Sequence, residues 1–254
     1  MIQFVMRADD LGYSEAVNYG IAKTVKEGMI RSVGVMPNMP AAQHGLALLE
    51  GEKVCYGQHT NICLGKPCAD PGKIPSLLDE NGNLKSSRIY REAWKKGECF
   101  TVLEEMVLEI EAQYQRFVEL TGREPRYFEG HAVLSGHLRE GLRIVAERHG
   151  LKFNDMFPGD EVGKFGRTPV AACAMKSMEP DYDPVQALKE AVMKARGDMP
   201  NVFVCHPGYL DEYLLNSSSL TVNRTKEVTM LCDPEMKKWL QEQKVELITY
   251  DELG

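Results

Sequence analysis

The sequence predicts a mixed α/β fold, a closed barrel of strands and helices in a single domain over residues 1–254. Three observations predict this fold. Short apolar segments alternate with amphipathic helical segments, which is typical of βα units and a parallel sheet. There are eight strand candidates, the number that closes a small barrel. No tract rich in Ser, Gly or Pro divides the chain into halves, so one domain is expected.

The strand candidates are short apolar segments rich in β-branched and aromatic residues. They cover residues 2–6, 32–36, 54–58, 127–130, 151–154, 170–174, 202–205 and 246–249. If all eight run parallel around a barrel, their C-terminal ends lie on one rim, where the loops that follow the strands build the active site.

Helices are predicted between these strands. Val17, Ile21 and Val25 recur at four-residue intervals after Ser14, a pattern that places them on one face of a helix. Similar apolar stripes end or begin beside residues that favour helix termini. These residues are Gly122, Pro184 and the pair Asp233-Pro234.

Two stretches break the regular pattern. Residues 63–100 contain many glycines and prolines, and we interpret them as a long loop excursion from the core. Long loops of this kind are uncommon in compact domains unless they cover a site. Residues 207–225 form the second irregular stretch.

Composition narrows the function classes. The formal net charge of −7 disfavours nucleic acid and anionic membranes as partners, whereas a small neutral substrate is compatible. The apolar N-terminal segment is short and lacks a basic flank, so it is not interpreted as a signal peptide. Seven scattered cysteines form no Cys-x-x-Cys pair. Reduced thiols and a cytoplasmic location are therefore expected.

Acidic and imidazole side chains follow four of the predicted strands. Asp9 and Asp10 come after the first strand, and His59, His131 and His206 stand at the ends of three others. Because the C-terminal ends of parallel barrel strands share one rim, we expect these five residues to converge there.

Asp10, His59 and His131 form a candidate set of ligands for one divalent metal ion. One carboxylate and two imidazoles leave coordination positions open for water and substrate, as in catalytic sites. Such an ion, Mg²⁺ or Zn²⁺, would polarise an amide carbonyl and acidify a water molecule. Asp9 is the candidate base for that water, and His206 is the candidate acid for the departing amine.

Each of these residues has a simpler interpretation when taken alone. Paired aspartates after a strand are common in loops and helix caps, and a single histidine at a strand end can be structural. The repeated placement at strand ends favours a site. The remaining histidines, His44, His137 and His149, lack that placement and are interpreted as structural or solvent-facing. Cys205 should be buried, because neighbours on a strand face opposite sides.

Four motifs resemble those of the YdjC-like carbohydrate deacetylases, a family that includes chitooligosaccharide deacetylases. They are ADDLGYS at 8–14, VNYGI at 17–21, GQHTN at 57–61 and CHPGY at 205–209. The resemblance spans nearly the whole chain in the same order. It implies a TIM-like (β/α) barrel, a divalent metal and hydrolysis of an N-acetyl group on a small sugar or oligosaccharide. A homodimer is implied by this resemblance alone.

The resemblance also assigns roles to individual residues. It makes Asp10 and His59 metal ligands and Asp9 the base. Independently of the resemblance, Tyr13, Asn61 and Tyr209 are candidates for substrate binding. Trp94 and Tyr213 are further aromatic candidates for stacking on a sugar.

The chain departs from the family in one motif. The family pattern D-G-H-x-H-V-H aligns with EGHAVLS at 129–135, so only its first histidine, His131, is retained. Val133 and Ser135 replace the other two histidines, and Glu129 replaces the aspartate. This departure leaves two alternatives to sugar deacetylation open: a metal-dependent amidase or esterase with another substrate, and a catalytically silent sugar-binding protein.

Overall fold

The computed structural model describes residues 1–156 and 161–253. The described residues form one sheet of nine strands. Their bounds are β1 Ile2–Leu11, β2 Ser32–Val35, β3 Cys55–Thr60, β4 Phe128–Gly130, β5 Asn154–Asp155, β6 Val162–Phe165, β7 Thr168–Ala172, β8 Asn201–Cys205 and β9 Val245–Ile248.

The sheet curls into a nearly closed barrel of eight strands, which confirms the predicted fold class. The strand order around the ring is β4-β3-β2-β1-β8-β7-β6-β5, and a parallel bridge between Phe128 and Phe153 connects its two ends. The ninth strand, β9, pairs with the first half of β1, on the side where β2 pairs with the second half.

The prediction of an entirely parallel barrel was wrong in one sector. The strand β6 was missed, and it pairs antiparallel with both β5 and β7. The strand predicted at 151–154 is reduced to the two residues of β5. Apolar periodicity could not show this, because β6 alternates exposed and buried residues over only four positions.

Helices cover the outside of the barrel. Their bounds are α1 Glu15–Lys26, α2 Ala42–Leu48, α3 Ser87–Lys96, α4 Leu103–Thr121, α5 Gly136–His149, α6 Pro184–Met193, α7 Glu212–Ser217, α8 Val222–Leu231 and α9 Pro234–Glu242. The predicted caps Gly122 and Asp233 are confirmed: Gly122 ends α4 with a φ of 69°, and Asp233 caps α9. Ser14 also accepts a hydrogen bond from the backbone of α1. No helix in the described part of the chain is both long and apolar enough to cross a membrane.

Three assignments of irregular structure need correction. The excursion over 63–100 contains helix α3 and two short 3-10 turns, Pro71–Lys73 and Pro75–Leu77. The stretch over 207–225 contains α7 and the start of α8. His137, expected in a loop, lies in the first turn of α5. Helices α3 and α7 have few buried residues, so the core constrains few of their positions.

The barrel interior changes from apolar to charged along its axis. Val5 packs inside the barrel near one end, whereas Phe4 and Met6 face the helices. Arg7 and Asp9 continue the inward face of β1, since alternate residues of a strand share a face. The chain thus buries its charged groups at the rim where β1 ends.

Candidate metal centre

A bulge at the end of β1 brings two neighbouring aspartates to the same site. The pairing of β1 with β2 shifts register between Ala8 and Leu11, and Asp10 has a φ of 77°. In a regular strand Asp9 and Asp10 would face opposite sides. The bulge and the left-handed backbone at Asp10 redirect its side chain, and both carboxylates contact the same imidazole, that of His59.

Asp10, His59 and His131 converge as the sequence predicted. The Oδ1 atom of Asp10 lies 3.2 Å from Nε2 of His59 and 3.1 Å from Nδ1 of His131. The two imidazole nitrogens are 2.9 Å apart. The side chains of Asp10 and His59 are 1% and 4% exposed, and that of His131 is 12% exposed, so the centre is reached from the side of His131.

Glu129 orients the imidazole of His59. Its Oε1 atom bonds Nδ1 of His59, which leaves Nε2 facing Asp10 and His131. Burial disfavours the charged form of this imidazole, but the carboxylates of Glu129 and Asp9 outweigh it and raise the pKa of His59 well above its usual range. A carboxylate on the far nitrogen of a histidine is the usual device that aims the other nitrogen at a metal.

Arg224 neutralises and orients Asp10. Its Nη2 atom donates a 2.7 Å hydrogen bond to Oδ2 of Asp10, and both side chains are almost fully buried. Burial alone would raise the pKa of Asp10, but Arg224 and His131 hold it well below its usual range. Burial also opposes the charged form of His131, yet Asp10 raises its pKa to about 9.

Asp9 is held by Arg7 on the inward face of β1. The Nε atom of Arg7 lies 2.6 Å from Oδ1 of Asp9, and Nη2 donates a 2.7 Å hydrogen bond to Oδ2. Gly34 on β2 makes room for this carboxylate, since a Cβ there would lie 2.9 Å from Oδ1 of Asp9 and 3.1 Å from Cβ of His59.

His206 follows the last residue of β8 and is held through its backbone. Its N–H donates to Glu227, and the following loop packs closely on α1, where a Cβ on Gly20 would lie 2.4 Å from Cα of Gly208. The Nδ1 atom of His206 is buried without a hydrogen-bond partner among the described residues. Burial lowers the pKa of His206 to about 4, so its imidazole is neutral at pH 7.

The donor set suits a divalent cation. The Oδ1 atom of Asp10 is buried and accepts no well-formed hydrogen bond from any residue that the structure describes, although two imidazole nitrogens lie close to it. Together the three side chains present one oxygen and two nitrogen atoms to a common point. A buried carboxylate oxygen without a proper partner is costly, and a cation at this point would satisfy it.

The aromatic candidates for substrate binding differ in their surroundings. Tyr13 is buried, its ring centroid lies 6.5 Å from that of His131, and its hydroxyl lies 3.1 Å from Oγ of Ser217. Tyr209 is 38% exposed, and Tyr213 stacks edge-on against Tyr13 at 6.0 Å while remaining half-exposed.

Asn61 is fully buried and its amide is engaged within the protein. Its side chain donates to Oδ1 of Asn38 at 3.0 Å and to the carbonyl of Leu64 at 2.8 Å, and it accepts from the backbone of Cys63. Its own backbone is bonded in both directions by Gln113 on α4. Both N–H donors of this side-chain amide are therefore used within the protein.

The positions that depart from the family motif have structural contacts. Ser135 caps α5 by accepting a hydrogen bond from Leu138, and Val133 packs against the apolar cluster beneath α4 and α5. The imidazole of His137 bonds Oγ1 of Thr101 at 3.1 Å. It is therefore engaged with the loop that precedes α4.

Sequence reasoning missed the two arginines of the centre. Arg7 carried a usable signal, because it is a charged residue two positions before Asp9 in an otherwise apolar strand and so shares its face. Arg224 carried none, since it stands among polar residues in a weakly amphipathic helix. The role of Glu129 toward His59 was also missed, because it depends on pairing between β3 and β4.

The fold and the centre define an α/β-barrel protein with a candidate single-metal site at the C-terminal rim of its strands. Within this class the chain belongs to the YdjC-like protein family, whose model matches residues 3–242. This confirms the resemblance inferred from the four motifs.

Two curated relatives match almost the full length. Carbohydrate deacetylase 2 of Listeria innocua is 28% identical over 256 residues, covering 99% of each chain. The carbohydrate deacetylase of Geobacillus stearothermophilus is 28% identical over 253 residues, covering 98% of this chain and 96% of the relative.

Two solved structures share the fold. A proposed cellobiose-phosphate cleavage protein from Enterococcus faecalis superposes with a TM-score of 0.82 at 24% identity, covering 98% of both chains. A family 4 acetyl xylan esterase from Clostridium thermocellum, solved with a cobalt ion, gives a TM-score of 0.51 at 11% identity, covering 98% of this chain and 89% of the esterase.

Proposed function

We propose that this protein is a metal-dependent carbohydrate deacetylase that removes acetyl groups from N-acetylated sugars or oligosaccharides. The observation that carries the proposal is the convergence of Asp10, His59 and His131 at the barrel rim. The full-length relatives named carbohydrate deacetylases support the reaction class. A homodimer and a cytoplasmic location stay predictions.

Asp10, His59 and His131 would hold one divalent ion. Two imidazoles and one carboxylate favour Zn²⁺ over Mg²⁺, which prefers oxygen ligands. When bound, the ion would supply Lewis-acid chemistry by polarising the acetamide carbonyl and acidifying a water molecule. The protein side chains must then orient the substrate and move the protons.

Asp9 is the proposed acceptor of the proton lost by the attacking water. The ion pair with Arg7 fixes the direction of its carboxylate. The buried position of Asp9, 2% exposed, keeps bulk water from competing for it. As the water oxygen bonds to the carbonyl carbon, the proton passes to Asp9.

His206 is the proposed proton donor to the departing amine. Its resting imidazole is neutral at pH 7, because burial lowers its pKa to about 4. His206 must therefore take up a proton from solvent before it can deliver it to nitrogen, and Asp9 releases its proton to solvent before the next turnover. The C–N bond then breaks, acetate leaves with the oxygen from water, and the sugar amine leaves with the proton.

Tyr13, Tyr209 and Tyr213 are the proposed contacts for the sugar. Tyrosine rings offer an apolar face for a pyranose and a hydroxyl for its polar edge. Tyr13 lies beside His131, the most accessible of the three ligands, and Tyr213 extends the aromatic surface outward. Asn61 would act indirectly by holding the loop that follows His59.

Acetate release from N-acetylglucosamine and its short oligomers tests the proposal. Metal-loaded protein should release acetate, whereas chelator-treated protein and Asp10→Asn should not. Asp183→Asn is a matched control, because Asp183 only caps α6 and asparagine caps equally well. Absence of acetate from the loaded wild type would overturn the proposal, and sugar binding without turnover would indicate a binding protein.

A further inference from the structure

We infer that Arg224 is a positioning residue that couples the metal ligand Asp10 to the loop carrying His206. This inference rests on the proposed metal centre and deepens it. Arg224 lies on α8, outside every motif that the sequence analysis used, and its side chain is 2% exposed.

The first contact sets the orientation of Asp10. Because Nη2 of Arg224 binds Oδ2 of Asp10 at 2.7 Å, the carboxylate cannot rotate freely, and Oδ1 faces the two imidazoles. Asp10 is thereby presented as a ligand through one oxygen. The left-handed backbone of Asp10 makes this side-chain bond important, since the bulge alone does not fix the rotation of the carboxylate.

The second set of contacts holds the backbone around His206 from one helix. Arg224 and Glu227 are three residues apart on α8 and therefore lie on the same face. Glu227 accepts a hydrogen bond from the backbone N–H of His206. The Nη1 atom of Arg224 lies 3.5 Å from the backbone carbonyl oxygen of His206. The carbonyl of Arg224 also accepts from Gly208 at 3.4 Å. One helical face thus holds the peptide on both sides of the proposed proton donor.

The geometry requires a guanidinium rather than a positive charge alone. The Nε atom of Arg224 donates to the carbonyl of Leu220 at 2.9 Å, while its two terminal nitrogens point to Asp10 and His206. A planar fork serves three acceptors in fixed directions, which the single ammonium of a lysine cannot reproduce. The centre of the guanidinium also lies 5.4 Å from the ring of Tyr13, so its removal would loosen the aromatic surface.

The test compares zinc affinity in Arg224→Gln, Arg224→Lys and a matched control, with folding checked by circular dichroism. Arg31→Gln is the control, because the guanidinium of Arg31 binds backbone carbonyls beside α1, away from the proposed centre. Loss of a partner that orients a metal ligand typically weakens binding about 10- to 100-fold. We expect this loss in Arg224→Gln, a loss of about 10-fold or more in Arg224→Lys, and none in the control.

Titration against a chromogenic chelator gives these affinities, and the visible absorption of bound Co²⁺ reports the ligand geometry. Altered Co²⁺ bands in Arg224→Lys would support the inference even if Arg224→Gln does not fold. Wild-type affinity and an unchanged Co²⁺ spectrum in Arg224→Lys would overturn it, as would equal or tighter binding in folded Arg224→Gln. A wild type that binds neither ion would instead remove the proposed metal centre itself.

Discussion

Replacing Glu129 with glutamine should weaken metal binding without unfolding the protein. The carboxylate of Glu129 bonds Nδ1 of His59 and lies 3.4 Å from Arg7. Glutamine keeps the volume of the side chain and one acceptor oxygen. It removes the negative charge that makes Nε2 of His59 a better electron-pair donor to a metal ion. Changes to such partners cost about 10- to 100-fold in metal affinity, or about 1.4 to 2.7 kcal/mol.

A second, partly buried carboxylate–imidazole pair provides the control. Glu111 accepts a 2.6 Å hydrogen bond from Nε2 of His149 on the outer helices, in the same chemistry but with no metal ligand attached. Chelator-competition titrations with Zn²⁺ should show weaker binding for Glu129→Gln and unchanged binding for Glu111→Gln. Equal affinities in both folded variants would refute the assigned role of Glu129.

Three further predictions concern the strands and loops around the centre. Gly34→Ala should lower the free energy of unfolding in urea by about 1 to 3 kcal/mol, because the added Cβ would crowd Asp9 and His59. Gly197→Ala is the control and should leave this free energy unchanged, because a Cβ at Gly197 would meet open space. His206→Ala should lower kcat about 100-fold or more while still binding one metal ion, and loss of the ion would contradict its assignment as a proton donor. Burial raises the pKa of Glu227 to about 7, so the folded protein binds more protons than the unfolded chain from about pH 4.3 to 7. The contribution of Glu227 to the free energy of unfolding therefore falls as pH rises through this range. Urea unfolding of Glu227→Gln should lack that decline, and parallel pH curves for variant and wild type would contradict the prediction.

The fold could be predicted from sequence wherever one side of an element packs on the core. The helix α1 shows a regular apolar stripe, and β1, β2, β3 and β8 are almost entirely buried strands that include short apolar segments. By contrast β6 is half-exposed, and α3 contributes only two buried residues. The pattern of β6 is too short to read, and α3 was missed because the glycines and prolines around it favoured a loop.

The convergence of the three proposed metal ligands could be predicted because each lies at or just beyond the end of a strand, and barrel topology brings strand ends together. The residues that orient these side chains could not be predicted in the same way. Arg224 reaches Asp10 across 214 positions in sequence, and Glu129 reaches His59 only because β4 pairs with β3 in a particular register. Neither contact has a local sequence pattern, so both required the three-dimensional structure.

Anomalous diffraction from crystals soaked in Zn²⁺ tests the central claim most directly. The account predicts one strong peak per chain at the barrel rim, within coordination distance of Oδ1 of Asp10, Nε2 of His59 and Nδ1 of His131. A fully occupied peak elsewhere, with none shared by these three atoms, would contradict it.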